Sequence, residues 1–492
     1  MSDQSRALPD RPNLRYLKLE AKRRLSSGEF TTLHQAQLAI AREHGQSSWT
    51  ALKEHIEGSH ALAQMRWAIS RFAPAGTPGW NPPDEEELRR HFDDRYLSLV
   101  PTDWVIRLFD TLTKRLREGL TDVRAEPLRL RARLGDLRVE AATESEPPYR
   151  LRQLRFYPLE GKADDPRVAS PPTRDSGTVP AEAAAVAEHS FTELGLVGLL
   201  VAGATGDGPA WVTARGWANL DQGDALLPEH RFPAYSITKL ITATTVLRLV
   251  ADGRVQLDAP ANTYLRTIRL ADDAVTVRQL LSHAGGVDNP TSMFADRVPD
   301  LVSVTGPVAA CGGTPGTYAY GHGEYAMLGQ LITDVTGSRY EDVAARWVLE
   351  PLGMSTSWFP TEPPTTGVVT GHHLTDGGVF ERVPAQVAVV PAAGGLWTTA
   401  ADLVRFGTAW SSLLPDELAR EALSPQAEFE GGDAGLGWGL VRPKDIAGHP
   451  GAGPGFSASL IIRPSTGQTW VVVTNRKVLV EPINERLALP LD

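Results

Sequence analysis

Cysteine and long apolar runs are scarce in this chain. Cys311 is the one cysteine among 492 residues, so no disulfide can form within the chain, and a lone thiol fits a reducing compartment. Residues 1–24 contain no apolar core and no small-residue cleavage site, so they lack the pattern of a secretory signal. No uninterrupted apolar run approaches the roughly 18–20 residues that a membrane-spanning helix needs. We therefore expect a cytoplasmic protein without a membrane-embedded segment.

Signals for a metal, a nucleotide or a nucleic acid are missing as well. There is no HExxH motif and no Cys/His cluster, and the adjacent His372 and His373 cannot easily bind one metal together. The glycine-rich phrases AGATGDGP and GAGPG do not precede helices with the spacing of a phosphate-binding loop. A formal net charge of -10 leaves no basic footprint for nucleic acid. We expect no metal, no cofactor and no nucleic-acid partner.

The length predicts two or three domains, each with its own core. Residues 1–60 have the periodicity of a module of three short helices. Residues 80–160 contain helical patterns followed by LRLRARLG, LRVEAAT and YRLRQLRFYPL, whose alternation is typical of half-buried antiparallel strands. This order of elements resembles that of cystatin/NTF2-like domains. Residues 161–184 are rich in Pro, Gly, Ser and Asp and are predicted to be a linker, which leaves 185–492 as the last domain.

The last domain carries clear helix and strand signals. Capping boxes are predicted at Thr276–Gln279 and Ser338–Glu341, and Gly337 is placed where a helix ends. The phrases SASLIIRP and TWVVVTN are strand candidates near the end of the chain. Because helices lie between early and late strands, we expect both ends of this region to pair in one antiparallel sheet.

One helical stretch, PAYSITKLITATTVLRLVADG, has a pattern suited to nucleophilic catalysis. Ser236 and Lys239 are three residues apart, so both point to the same side of the helix. The N-terminal end of a helix offers backbone N–H groups and the positive end of the dipole. A lysine can activate a hydroxyl only when it is partly neutral, and burial favours the neutral form. An S-x-x-K pair by itself carries little weight, because both residues are common in helices.

Several further phrases occur in order around this pair: LLSHAGGV, PGTYAYGHGEYAMLGQLITDVTG, PLGM, AAGGLWTTAADLVRFG and GHPGAGPGFSASLIIRP. Together they resemble the β-lactamase-like serine hydrolases, which include class C β-lactamases, DD-peptidases, D-amino-acid peptidases, family VIII esterases and some acyltransferases. The resemblance covers roughly residues 185–480. It implies an α+β multidomain protein whose C-terminal domain has the β-lactamase/penicillin-binding-protein-like fold: an antiparallel sheet flanked by helices, with a helical subdomain.

The resemblance also implies a role for each motif residue. Ser236 is the expected nucleophile and Lys239 its base. The second family motif, Y-x-N, matches the phrase that begins at Tyr320, which is expected to relay the proton to the leaving group. His283, in LLSHAGGV, is interpreted as a structural residue of the site wall.

The remaining motif residues are expected to bind the substrate. His322 stands where the family has the Asn that contacts the substrate amide. The third motif matches His449 and Gly451 on an edge strand that lines the acyl group. The backbone N–H of Ala452 is expected to join that of Ser236 as the oxyanion hole.

Three functional hypotheses follow. The first is a hydrolase that cleaves an ester or amide of a small molecule through an acyl-enzyme on Ser236. The second is an acyltransferase or cyclase of small-molecule biosynthesis, in which an alcohol or amine resolves the same acyl-enzyme. The third, motivated by His322, is a non-catalytic ligand-binding or sensory protein. For the N-terminal region three roles stay open: homo-oligomerisation, covering the active site, and binding a protein partner.

Overall fold

The computed structural model describes most of the chain. The described residues are 14–99, 102–126, 128–135, 137–144, 146, 148–158, 165–206, 208–375, 377–429, 432–441 and 445–488. They form two compact units, divided between Leu159 and Glu160. None of the helices in the described part of the chain is long and apolar enough to cross a membrane.

The first unit consists of helices followed by a four-stranded sheet. Its elements are α1 Leu14–Ser26, α2 Leu33–Glu43, α3 Trp49–Phe72, α4 Glu85–His91, α5 Asp94–Leu99, α6 Thr102–Thr111, α7 Thr113–Glu118, β1 Leu120–Glu126, β2 Arg129–Leu134, β3 Leu137–Thr143 and β4 Leu151–Pro158. The strands pair in the order β1-β2-β3-β4, all antiparallel. The three strands predicted from alternating residues are therefore confirmed.

Helix α3 runs across position 60, where the sequence predicts the end of the three-helix module. Its apolar residues Ala61, Met65, Ala68 and Phe72 keep the helical spacing and are fully buried in the core that they share with the sheet. The helix is consequently longer than the pattern around Trp49 alone indicates. The division of this unit into two domains stays a prediction.

The second unit contains the remaining elements. They are β5 Thr173–Ser176, α8 Ala181–Glu193, β6 Gly198–Thr205, β7 Trp211–Asn219, β8 Asp224–Ala225, β9 Phe232–Pro233, α9 Thr238–Ala251, β10 Arg269–Leu270, α10 Val277–Leu281, β11 Phe294–Ala295, α11 Leu301–Thr305, β12 Val308–Ala309, α12 Gly323–Thr336, α13 Tyr340–Ala344, β13 Gly371–Leu374, β14 Phe380–Val383, β15 Val387–Ala388, α14 Pro391–Gly394, β16 Trp397–Thr398, α15 Ala400–Ala409, α16 Asp416–Ala422, β17 Ala427–Phe429, β18 Gly432–Ala434, β19 Gly439–Val441, β20 Ile446–Gly453, β21 Phe456–Arg463, β22 Gln468–Thr474 and α17 Glu481–Ala488.

A large antiparallel sheet organises this unit, with the order β17-β18-β19-β20-β21-β22-β6-β7-β5 and β8 beside β7. The late strand β22 pairs with the early strand β6, which confirms the predicted closure of the two ends. Strand β6 is buried on both faces: Leu199 and Val201 pack with α8 and α17, while Leu200 and Ala202 join the main core. Because alternate residues serve two different cores, the strand has no polar side chain from Gly198 to Ala204, rather than being apolar at every second position.

Part of the predicted linker 161–184 belongs to this sheet. Residues Thr173–Ser176 form β5 and pair with β7. All four side chains are exposed, so the segment is polar although its backbone is paired. Upstream of β5, Asp165 accepts hydrogen bonds from Arg167 and from the backbone N–H of Phe380. The composition that predicts a linker thus reflects an edge position, where side chains face water.

Of the two predicted capping boxes, one is confirmed. Thr276 and Gln279 cap α10 reciprocally. The prediction at Ser338 is wrong, because α13 begins at Tyr340 and has no side-chain cap. Gly337 ends α12 in the left-handed conformation, as predicted, and Ser338 then donates its N–H to Thr336 Oγ1 in the turn that follows.

Candidate active site

Ser236 lies in a tight turn that leads directly into α9. The preceding residue, Tyr235, has a φ of +45°, a conformation that costs a non-glycine residue free energy. Its hydroxyl donates a hydrogen bond to the carbonyl of Pro454 at 3.1 Å, which ties the turn to the end of β20. Ser236 is 8% exposed, so its hydroxyl is held at the base of the site rather than on an open surface.

Lys239 is a titratable partner of Ser236. Its Nζ lies 3.2 Å from Ser236 Oγ and donates to the carbonyl of Ala393 at 3.0 Å. The lysine is completely buried. Burial lowers its pKa to about 7, although the nearby carboxylate of Glu324 acts in the opposite direction. A substantial fraction of Lys239 is therefore neutral near pH 7, which is the form that can accept a proton.

Strand β20 packs against the turn that carries Ser236, and glycines make this contact close. A Cβ at Gly451 would lie 2.3 Å from the carbonyl oxygen of Ala234, and a Cβ at Gly453 would lie 2.4 Å from the ring of Tyr235. Ala452 lies between these glycines, is exposed, and stands opposite Ser457 of β21. The strand that holds the predicted third motif is therefore in direct contact with the nucleophile turn.

Tyr320 reaches the same place from the segment before α12. The centroid of its ring lies 5.0 Å from Lys239 Nζ. The residue exposes 44% of its surface, yet desolvation around the hydroxyl raises the pKa of the phenol well above its usual value, and a hydrogen bond with Ser236 acts against that increase. The phenol is protonated at neutral pH and is placed to exchange a proton with the serine.

Two histidines flank the ring of Tyr320. The ring centroids of His322 and His449 lie 5.9 and 5.8 Å from it. Burial, followed by the charge of Lys239, lowers the pKa of each imidazole to about 3. His449 is 6% exposed, and its Nδ1 is 2.6 Å from the carbonyl oxygen of Pro450. Both rings are neutral at physiological pH, so they offer hydrogen bonds rather than charge.

Some residues around the site have no local signal in the sequence. Ala393 contributes the carbonyl on Lys239 from 154 residues away. Asn289 fixes the start of α12, because its Oδ1 accepts the N–H groups of His322 and Gly323. Glu324 is buried at the start of α12 and was not predicted; only its proximity to Y-x-N in the sequence could have suggested it.

A cavity of about 510 Å³ lies elsewhere in the second unit. Its walls include Asn219, Asp224, His230, Arg382 and Trp397, and none of the motif side chains around Ser236. It is therefore separate from the catalytic groups. Among the residues that the structure describes, no group of three or more His, Cys, Asp or Glu side chains could hold a metal ion.

The chain is similar to several known proteins. Penicillin-binding protein 4 of Amycolatopsis lactamdurans is 28% identical over 301 residues, 55% of this chain and 78% of that protein. Esterase EstB of Burkholderia gladioli is 27% identical over 345 residues, 61% of this chain and 88% of that protein. The D-stereospecific amidohydrolase from Streptomyces sp. shares the fold, with a TM-score of 0.55 at 22% identity over 64% of this chain and all of that chain.

The family described as Beta-lactamase matches residues 183–489, from the first turn of α8 to the end of α17. This region contains Ser236, Lys239 and Tyr320, as well as the strand with His449. Because the match spans more than half of the chain, the protein belongs to the beta-lactamase family and is a serine hydrolase whose second unit has the fold of penicillin-binding proteins.

Proposed function

We propose that the protein cleaves an ester, or an amide, of a small molecule through an acyl-enzyme on Ser236. The observation that carries the proposal is the contact of 3.2 Å between Ser236 Oγ and the completely buried Lys239 Nζ. A buried lysine without a carboxylate in contact is costly for a fold to maintain. Its position beside a serine argues for proton transfer and against the non-catalytic alternative.

In the first step, the neutral amine of Lys239 takes the proton of Ser236 while Oγ attacks the substrate carbonyl carbon. The carbonyl of Ala393 accepts an N–H of the same amine, so the lone pair is left for the serine. The positive charge that forms on Lys239 is opposed by burial and favoured by the nearby Glu324 carboxylate. Attack converts the carbonyl oxygen to an oxyanion.

We assign the oxyanion hole to the N–H groups of Ser236 and Ala452. Strand β20 pairs with β21 as far as Gly453, whereas β19 pairs only with Ile446–Gly448. Pro450 has no N–H, so in a paired strand its nitrogen faces away from the β21 ladder. Backbone groups two residues apart in a strand point the same way, so the N–H of Ala452 also points away from β21. It therefore faces the open edge beside the turn that carries Ser236. Two backbone donors there would stabilise the developing negative charge.

Collapse of the intermediate breaks the bond to the leaving group. Tyr320 donates its phenolic proton to the departing alcohol or amine and regains one from Lys239, which leaves the acyl group on Ser236. Water then attacks the acyl-enzyme, with the same pair acting in reverse, and releases the carboxylic acid and the free serine. If an alcohol or amine replaces water, the same steps yield acyl transfer, which stays the alternative.

An ester is the preferred substrate for two reasons. The relative EstB is named an esterase and matches most of its length to this chain. In addition, an alkoxide is a better leaving group than an amide nitrogen, so an ester needs less assistance from the neutral His322 and His449 that flank Tyr320.

Replacing Ser236 by Ala tests the proposal. We expect the variant to lose hydrolysis of a p-nitrophenyl ester and labelling by a fluorophosphonate probe, whereas the matched variant Ser412→Ala, on an exposed turn, keeps both. Wild-type turnover in Ser236→Ala would refute the nucleophile assignment. Adding alcohol and amine acceptors to the wild-type reaction distinguishes transfer from hydrolysis by the products formed.

A further inference from the structure

We propose that Glu324 is a positioning residue that sets the charge of Lys239 from the start of α12. The inference rests on the proposed function, since it concerns how the base of that reaction is controlled. It assigns a role to a carboxylate that touches neither the serine nor the expected position of the substrate.

Glu324 is the second residue of α12 and is 1% exposed. Its Oε1 accepts a hydrogen bond from the N–H of Val287 at 3.4 Å, and the backbone N–H of Glu324 itself also stabilises the charged carboxylate. Its Oε2 is buried and has no hydrogen-bond partner within the described part of the chain. A buried carboxylate whose hydrogen bonds come from backbone N–H groups, with one oxygen left without a partner, is costly to ionise in a core, so its ionisation depends strongly on the charges around it.

Glycines provide the space for this carboxylate. A Cβ at Gly321 would lie 3.1 Å from Glu324 Oε2, and a Cβ at Gly285 would lie 3.5 Å from its Cγ. Gly321 is also the residue between Tyr320 and His322, so the loop that carries the predicted proton relay passes directly over the carboxylate. The buried acid at the start of α12 therefore packs against the loop that carries Tyr320.

Of the titratable groups that the structure describes around Glu324, Lys239 is the one whose positive charge can balance the carboxylate. His283, in the turn after α10, has its Nδ1 4.0 Å from Glu324 Oε2. That nitrogen accepts the N–H of Gly321, and burial together with Lys239 lowers the pKa of His283 well below its usual value. The imidazole is consequently neutral and cannot balance a carboxylate.

The other titratable groups that face Glu324 or Lys239 cannot balance the carboxylate either. Asp288, in the loop after α10, is an acid and opposes ionisation of Glu324. Tyr318, Tyr320 and Tyr325 have raised pKa values and stay neutral. His322 and His449, which face Lys239, have pKa values lowered to about 3 and are neutral too.

Lys239 lies near this acid, because its Nζ is 5.5 Å from the ring centroid of Tyr325, the residue that follows Glu324. The two groups also titrate in the same range. Burial raises the pKa of Glu324 to about 7, and the positive charge of Lys239 acts against that increase. Burial lowers the pKa of Lys239 to about 7, and the charge of Glu324 acts against that decrease. Each group favours the charged form of the other, so the carboxylate holds the lysine at the boundary between base and acid, where it can both take and return a proton.

The test is the pH dependence of Ser236 labelling by a fluorophosphonate in full-length Glu324→Gln. Removing the negative charge should make Lys239 neutral at lower pH, so the acidic limb should move down by about 1 pH unit, the size of effect that one nearby charge has in a protein. Glu324→Asp, which keeps the charge, should stay close to wild type. The matched control is Glu350→Gln, which removes an exposed acid of the same unit.

A second measurement is independent of catalysis. In protein labelled with ¹⁵N-lysine, the Nζ resonance that is absent in Lys239→Arg should titrate at lower pH in Glu324→Gln than in wild type. Superimposable titrations would overturn the inference, even if the variant were less stable to heat. Suppose the Lys239 resonance titrates at lower pH in Glu324→Gln than in wild type, but the probe does not label Ser236 in wild type. The proposed function would then fail, while the link between Glu324 and Lys239 would stand.

Discussion

The carbonyl oxygen of Ala234 faces Gly451 so closely that an added Cβ would lie 2.3 Å from it. This contact joins the residue two positions before Ser236, the proposed nucleophile, to the strand expected to bind the acyl group. The backbone conformation of Gly451 is open to any residue, because its φ is not among the positive values. A glycine is needed at position 451 because a larger side chain would not fit against Ala234.

Gly451→Ala should therefore push β20 away from Ser236 and impair catalysis more than folding. A displacement of about 1 Å at the oxyanion hole would lower kcat/KM for an ester by about 100-fold. The matched control is Gly377→Ala, whose Cβ would meet nothing closer than 3.7 Å. Unchanged kcat/KM in Gly451→Ala would show that β20 can shift without displacing the N–H groups of the proposed oxyanion hole.

Ester hydrolysis should depend on pH through Lys239. Because the neutral amine is the active form and its pKa is lowered to about 7, kcat/KM should be constant well above pH 7 and fall about tenfold per pH unit well below it. Lys239→Met should lower kcat/KM by at least about 100-fold across the range. The exposed Lys477→Met serves as control, and an acidic limb that persists in Lys239→Met would assign the titration to another group.

Removal of the Tyr320 hydroxyl should slow the proton relay without unfolding the site. Tyr320→Phe should lower kcat by about 100-fold or more, with a larger loss for amides than for activated esters, since activated leaving groups need no proton. Tyr318→Phe is the matched control, because Tyr318 stacks on Phe429 at 5.0 Å and has no predicted catalytic role. Equal losses for both substrate classes would contradict a role in leaving-group protonation.

Asp402 should matter for stability rather than for chemistry. Its completely buried carboxylate accepts hydrogen bonds from the N–H and hydroxyl of Thr356 and from the hydroxyl of Ser357, and it pairs with Arg405. Asp402→Asn should lower the free energy of unfolding by about 2–4 kcal/mol. Urea unfolding measures this, with the exposed Asp252→Asn as control. A variant as stable as wild type would show that the loop at Thr356 is held by other contacts.

The parts of the site that the sequence predicts are those with local spacing. Ser236 and Lys239 are three residues apart on one helix, so their contact follows from helical geometry. The contacts of Lys239 with Ala393 and of Tyr235 with Pro454 join segments 154 and 219 residues apart. No period or cap in the sequence encodes such pairs, because they arise only when the sheet and the helices have packed.

The wrong prediction at Ser338 and the missed Glu324 also depend on structure that no local pattern in the sequence encodes. The Ser338 pattern fits a capping box, but the left-handed Gly337 turns the chain before the helix can use it. Glu324 was not predicted because an acid near a helix N-terminus is usually a surface residue that favours the dipole. Its burial depends on two glycines, Gly285 and Gly321, that are close to it only in three dimensions.

The pairing of β5 and the bonds of Asp165 also determine where the chain can be shortened. A fragment that begins at residue 175 would lack half of β5 and the acid that binds Arg167 and the Phe380 N–H. It would expose the edge of β7 to association with other chains. An expression fragment of the catalytic unit should therefore start before Asp165, and fragments cut later are expected to aggregate even if every catalytic residue is present.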